Sequence, residues 1–499
     1  MPVRVARVIP VEPTATSSTH SAILTGQTPQ KTGIVSNIYH APGTPRGEVA
    51  HGLESDIAVD TFVDVAKRAG KRVGSIAFPF YDWASARRSA DFGIGWSMPL
   101  ARARLIRLTK SDFHSDWLPP AWGSPMPHHP SFSPVMRTRI EWSAPHVAPQ
   151  DVDVVAYDST DDHVVNYDML FVECSGNEIA PDARHWFAIS EQTPEGRAGS
   201  WSKIMRFDPT LSSVNIYWGA VSRTRGDAAF AREVDERFGF WPGAADEVSV
   251  RDNSIDAATF AEQSDRLSNF LTQTTHYAMT TRDFDLLLTY QPIIDAAEHQ
   301  FLNPEGEPIR RAAFAAFDRA VSVLRRDTAS IGGTILITGD HGLAHVDTEV
   351  RVGRIIADWN EPQWSALANG NVVHFYQFGG DDDTDALVNK LTTLRSPDGA
   401  VVFERVERRS ASSHPNSGDI LAFSAPRFAL SSLINADAFA KPLYSGQHGG
   451  LNSHPEFHST LGAEGPGLPP QKIEAMPQTG IAPLIERLLG ISAAPRGND

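Results

Sequence analysis

The sequence predicts an α/β protein built on a mostly parallel sheet and interrupted by insertions. Strand-like and helix-like segments alternate through the first hundred residues, and the same rhythm resumes after about residue 283. Acids and imidazoles also gather just past the carboxyl ends of the strands, where open parallel sheets place their sites.

The segment 3–10, VRVARVIP, reads as the opening strand. PTATSSTHSAILTG, at 13–26, then crowds hydroxyls ahead of an apolar helix-like run. Thr16, Ser17 and Ser18 all suit a helix start, where Ser and Thr oxygens accept unpaired backbone N–H groups. The other use of a hydroxyl there is as a nucleophile, because the positive end of a helix dipole stabilises both an alkoxide and a phosphate. An amphipathic helix follows at 61–70, closed by Gly70, and a strand at 71–79.

From about 100 to 280 the texture changes to short alternating segments such as DVDVVAYDS, HWFAIS and VNIYWGAV, which predict a largely β-rich insertion. The core returns with the strand FDLLLTY, the long helix IRRAAFAAFDRAVSVLRRD and the strand GTILITG. A second insertion mixes NVVHFYQF and TDALVNKLTTLR; the strand GDILAFSAP, a His-rich loop and the helix PLIERLLG close the chain, with a Gly/Pro-rich loop at 462–470. The expected domains are core segments at 1–100, 283–345 and 416–499, a cap at 101–282 and a second insertion at 346–415.

With 499 residues and 41% hydrophobic composition, the chain can bury a large core. Its 44 basic and 60 acidic residues leave a net charge of −16, which disfavours a nucleic-acid polymer or an anionic membrane as the main partner. A single cysteine, Cys174, excludes a disulfide framework and a thiolate zinc cluster, and is expected in the core. No apolar run approaches the roughly 18 residues of a membrane span, and no leader pattern opens the chain. A cytoplasmic protein is expected as the chain stands, with export open if it continues upstream of Met1.

Three clusters follow core strands. Asp295 and His299 are four residues apart, so a helix would place them on one face. Asp340 and His341 precede Gly342, and His448 lies in SGQHGGLNSHPEFH, with His454 and His458 as loop residues behind it. A lone Asp-x-x-x-His is most often a surface ion pair, and Asp-His-Gly after a strand is often just a turn. Together, oxygen and imidazole donors without thiols suit zinc or another divalent transition ion.

The segment PTATSSTHSAILTGQTPQKTGIVSN carries Pro-x-x-Thr, a histidine four residues later, Thr-Gly-x-x-Pro and a Gly-Ile-x-x-Asn tail. With DAAEH, TGDHGL and GQHGG following in order, the chain resembles the type I phosphodiesterase/nucleotide pyrophosphatase family of the alkaline phosphatase superfamily. The resemblance covers roughly 1–100, 283–345 and 415–470 and implies an alkaline phosphatase-like three-layer core. It implies that Thr16 is the nucleophile on one metal with Asp340 and His341 and that Asp295, His299 and His448 hold a second; two divalent ions are expected, zinc being the one the donor types favour. Ser17 and Ser18 would then cap the helix that presents Thr16. The implied substrate is a small phosphorylated molecule, possibly a nucleotide.

The chain departs from the family in three places. The family's first core strand, ending in a further aspartate ligand, is not among the fifteen residues before Thr16, and Glu12 sits too close to replace it. Thr19 stands where an asparagine is expected to bond a phosphoryl oxygen, a role a hydroxyl fills with shorter reach. Glu298 replaces a glycine beside His299 and is expected to point outward.

The leading expectation is a two-metal hydrolase of phosphodiester or nucleotide pyrophosphate bonds acting through a phospho-threonine. A phosphomonoesterase, a phosphonoacetate hydrolase-like enzyme and a non-catalytic member lacking one ligand remain open. A sulfatase is disfavoured, since Cys174 lies outside the required motif. Trp117, Trp122, Trp142, Trp186, Trp201 and Trp218 of the cap would fill a β core or stack on a base, core filling being the commoner use.

Overall fold

The computed structural model describes residues 1–115, 131–174, 177–179, 185–379, 383–435 and 437–491. They form two compact units, Met1–Gly93 with Thr275–Asp499, and Ile94–Thr274.

In the first unit β1 (Val3–Ile9) buries Val3, Val5 and Val8 and leads through a short turn into α1 (Thr16–Thr25). The helix ends on Gly26, whose left-handed φ of 67° suits a residue without a Cβ. Next come α2 (Phe62–Arg68), started by a Thr61–Asp64 capping box, and β2 (Val73–Ile76), buried at every position. The chain re-enters the unit at β3 (Leu286–Thr289), followed by α3 (Ile293–Phe301), α4 (Glu307–Ser330) and β4 (Ile335–Thr338). It closes with β5 (Ser459–Glu464), β6 (Gln471–Pro477) and α5 (Ile481–Leu488).

These strands and helices form the α/β core expected, with strands of mixed direction. One sheet runs β4–β5–β1–β6; a second ends on β3, which is parallel to β2. The mixed character comes from β5, antiparallel to both β1 and β4, whereas β6 is parallel to β1. Residues 462–464 of the expected loop belong to β5. Among the described residues β3 and β4 are edge strands with one strand partner each.

α1 is buried on nearly all sides because it joins two apolar clusters. Ile23 packs with Val3, Val5, Val8, Leu461 and Ile481, and the adjacent Leu24 packs with Phe62, Val73, Leu288 and Ala482. Each such side chain contributes about 1.5–3 kcal/mol by leaving water, so the helix carrying the hydroxyls is firmly seated. The second insertion contributes Trp364–Asn369, Val372–Gln377 and Phe403–Arg408 to a four-stranded antiparallel sheet, whose remaining strand, Ile420–Ser424, comes from the stretch expected as the closing core segment. The turn of its first hairpin brings Asn371 N–H within 2.9 Å of the His448 carbonyl.

The second unit contains two mainly antiparallel sheets around a shared apolar cluster that includes Trp142, Trp218 and Cys174. Core filling therefore describes Trp142 and Trp218. Trp186 and Trp201 instead flank the Arg266 guanidinium, 4.2 and 4.3 Å from their ring centroids; Trp117 and Trp122 lie outside the described residues. The helices Ala228–Phe238 and Ala257–Thr281 were not expected in this β-rich stretch. On the second, buried Ser264, Ser268 and Thr272 interleave with Phe260, Leu267 and Leu271, and this blurs the apolar period. Among the described residues no helix is long and apolar enough to cross a membrane.

Candidate active site

Thr16 is the first residue of α1. Its N-cap is Ala15, which makes no side-chain bond, so the neighbouring serines do not cap the helix as expected. The cap comes from twenty residues on: Asn37 Oδ1 accepts from Ser17 N–H and from Ser17 Oγ, both at 2.8 Å. Ser17 is thereby spent, and Ser18 is fully buried within the helix. Gly52 permits the close approach, since a Cβ there would lie 2.5 Å from the Ser36 carbonyl oxygen.

Thr14 fastens the His448 loop to this segment. The Thr14 carbonyl accepts from Gly449 N–H at 3.1 Å and from His448 Nδ1 at 3.0 Å. Its hydroxyl accepts from Gly449 N–H at 3.0 Å and lies 3.2 Å from the Gly450 carbonyl. Past β4, the backbone of 339–342 is pinned in the same way. Ser459 Oγ donates to the Gly339 carbonyl at 2.7 Å, Gln478 Nε2 donates to the Asp340 carbonyl at 2.6 Å, and Gly342 N–H reaches the Phe457 carbonyl at 2.9 Å. On α3, Ile293 and Ala297 face the core, leaving Asp295 and His299 as a second stripe one turn apart.

Three histidines share one arrangement. Nδ1 of His299 lies 2.9 Å from the Gly446 carbonyl, Nδ1 of His448 lies 3.0 Å from the Thr14 carbonyl, and Nδ1 of His341 lies 3.2 Å from the Gly342 carbonyl. A carbonyl only accepts, so each Nδ1 carries a proton, and in the neutral ring each Nε2 then offers its lone pair. These lone pairs face acids: His341 Nε2 is 3.1 Å from Asp340 Oδ2, and His299 Nε2 is 3.6 Å from Asp295 Oδ1. The rings of His341 and His448 stack with centroids 3.9 Å apart, and Thr16 Oγ1 lies 3.2 Å from His341 Nε2.

The charges fit the same picture. Burial and the adjacent His341 and His299 hold the His448 pKa well below that of an ordinary histidine, which keeps its ring neutral. Burial alone would raise the Asp340 carboxyl, but His341 and His20 outweigh it and hold Asp340 well below the usual carboxylate range. Burial, with Asp340 and Asp295 nearby, pushes the Tyr290 phenol far up. Asp295 Oδ1 is buried without a hydrogen-bond donor. Imidazole nitrogens facing carboxylates, beside an unsatisfied carboxylate oxygen, form a donor set that a divalent cation fits.

The structure thus brings Thr16, Asp295, His299, Asp340, His341 and His448 together. The tightest three-donor group, Asp295, His341 and His448, has its ligand atoms within 4.8 Å of one another and draws on both of the expected metal sets. Thr19 is not brought in: it is fully buried, and its hydroxyl donates to the Ala15 and Thr16 carbonyls at 3.0 Å, which engages its proton within the helix. Glu298 is half-buried instead of solvated, and burial and Asp295 raise its pKa. Glu12 accepts from Asn452 N–H at 2.9 Å and pairs with Arg405. The residue that sequence reasoning passed over is Asn37, whose signal was the Gly-Ile-x-x-Asn tail. Its Oδ1 faces Ser17.

The profile of the family described as type I phosphodiesterase / nucleotide pyrophosphatase matches residues 2–118 and 196–451, well over half of the chain. No curated protein sequence matches. Among solved structures the fold is similar to murine ectonucleotide pyrophosphatase / phosphodiesterase 5. An inactive variant in complex with AMP superposes with a TM-score of 0.54 at 13% identity, covering 100% of this chain and 89% of that one. The human counterpart gives a TM-score of 0.52 at the same 13% identity.

Proposed function

Because this chain belongs to the type I phosphodiesterase/nucleotide pyrophosphatase family, a family of hydrolases, we propose that it cleaves a phosphodiester or nucleotide pyrophosphate bond with Thr16 as nucleophile. The observation that carries the reading is the placement of Thr16 Oγ1 3.2 Å from His341 Nε2, at the start of a helix and at the rim of the donor cluster. Thr16, Asp340 and His341 would hold one divalent cation, matched by zinc in donor type, and Asp295, His299 and His448 a second. Bound there, such ions lower the pKa of a hydroxyl and offset charge on phosphoryl oxygens.

The chain's own residues supply the rest. The α1 N-terminus favours an anion beside Thr16. Thr16 Oγ1 forms a bond to phosphorus as the bond to the leaving oxygen breaks; water then cleaves the phospho-threonine and restores the hydroxyl, the departing group having taken up a proton. The backbone carbonyls behind His299, His341 and His448 keep each ring in one tautomer and orientation throughout. A small phosphorylated substrate, nucleotide-like in class, suits this site.

One observation favours a second reading, a binder without turnover. Among the described residues no carboxylate beyond Asp295 and Asp340 joins the cluster, and the edge strands β3 and β4 that lead into it each lack a second strand partner. Assays of the zinc-loaded protein on bis(p-nitrophenyl) phosphate and on p-nitrophenyl phosphate separate the readings. The proposal expects faster cleavage of the diester. Preference for the monoester moves the protein to the phosphatases, and inertness toward both supports the binder.

A further inference from the structure

His20 differs from the other buried histidines of the site. Its Nδ1 lies 2.9 Å from the Thr16 carbonyl oxygen and 3.3 Å from Asp340 Oδ2. Both are acceptors, so Nδ1 carries the proton and divides it between the peptide that bears Thr16 and the carboxylate that follows β4. The ring is 3% exposed and held edge-on by Phe78 and Tyr290, with centroids 5.6 and 5.4 Å away and interplanar angles of 74° and 86°. Phe78 reaches it from Ala77, a non-glycine residue at a φ of 55°. That conformation costs about 1–2 kcal/mol, which the surrounding packing sustains.

We infer that His20 is a positioning residue: its Nδ1–H holds Asp340 Oδ2 in the orientation from which that carboxylate serves the cation beside Thr16. The inference rests on the proposed metal-dependent reading. It follows from three features of the geometry. Asp340 Oδ2 is the oxygen shared by His20 and by His341 Nε2, at 3.3 and 3.1 Å, so its direction is set by the pair. His20 sits one helical turn from Thr16, so the same helix that presents the hydroxyl also fixes a ligand of its cation. The T-shaped packing of Phe78 and Tyr290 against the imidazole restrains its orientation. Residues that hydrogen-bond metal-ligating carboxylates typically change metal affinity by about 10–100-fold when removed.

The test compares His20→Asn with His20→Gln in the full chain. Asn carries its amide N–H where Nδ1 stands; Gln carries it one bond further out and cannot reach both acceptors. Zn²⁺ affinity of the metal-free protein is measured by isothermal titration, and the unfolding midpoint of each metal-free variant reports its fold. The expected result is near-wild-type Zn²⁺ affinity for His20→Asn and a loss of about 10–100-fold for His20→Gln, with similar unfolding midpoints. At saturating zinc, kcat of His20→Gln should recover toward wild type, which a packing defect would not allow. Equal affinities in both variants and wild type, or equal losses in both variants, overturn the inference. Absence of Zn²⁺ binding by the wild-type protein instead overturns the metal-dependent reading itself.

Discussion

Thr16 Oγ1 and His341 Nε2 stand 3.2 Å apart although 325 residues separate them in the chain. The contact joins the first turn of α1 to the turn after β4, and the backbone of both partners is pinned by neighbouring loops. Thr16→Ala is expected to abolish hydrolysis of bis(p-nitrophenyl) phosphate while zinc content, read by atomic absorption, stays at the wild-type level. Undiminished turnover in that variant would remove Thr16 from the chemistry.

Asn37 supplies the cap that no adjacent residue gives to α1. Asn37→Ala leaves the Ser17 N–H without its acceptor and should destabilise the protein by about 1 kcal/mol in thermal or denaturant unfolding. Asn37→Asp keeps the acceptor and should recover that loss. If the two substitutions are equally destabilising, the cap is not what Asn37 contributes.

How much of this was legible beforehand depended on whether the signal was local. The segment 13–26 carries its apolar run and hydroxyls together, so α1 and the candidate role of Thr16 were readable from it. The spacing of Asp295 and His299 likewise foretold their shared face on α3. The cap was misplaced because its donor and acceptor lie twenty residues apart, at Ser17 and Asn37, and no propensity encodes that pairing. Thr19 was misjudged because a motif position does not specify which way a helical hydroxyl turns; inside α1 it bonds its own backbone. The mixed sheet escaped notice because β5 contains Gly462 and runs into a Gly/Pro-rich stretch, and strand direction is decided by partners far along the chain.

His374 gives the pH dependence. It is buried in the second insertion; its Nδ1 accepts from Gly418 N–H at 3.1 Å, and burial pulls its pKa from an ordinary 6.5 to about 4. The unfolded chain therefore binds a proton below about pH 6.5 that the folded chain refuses until about pH 4. Stability from this group is full above pH 6.5 and falls as the pH drops toward 4, by about 3 kcal/mol in all. Denaturant unfolding of metal-free wild type and His374→Phe across this window should show a shallower slope for the variant. Parallel slopes would exclude His374 as a source of the acid sensitivity.

Anomalous diffraction from crystals soaked with Zn²⁺ addresses the convergence of the donors on cations at Thr16. Two peaks about 3.5–4 Å apart are expected, one touching Thr16, Asp340 and His341 and the other Asp295, His299 and His448. Ordered zinc elsewhere on the protein, with no peak among these side chains, would refute the assignment of a metal-dependent hydrolase site to this cluster.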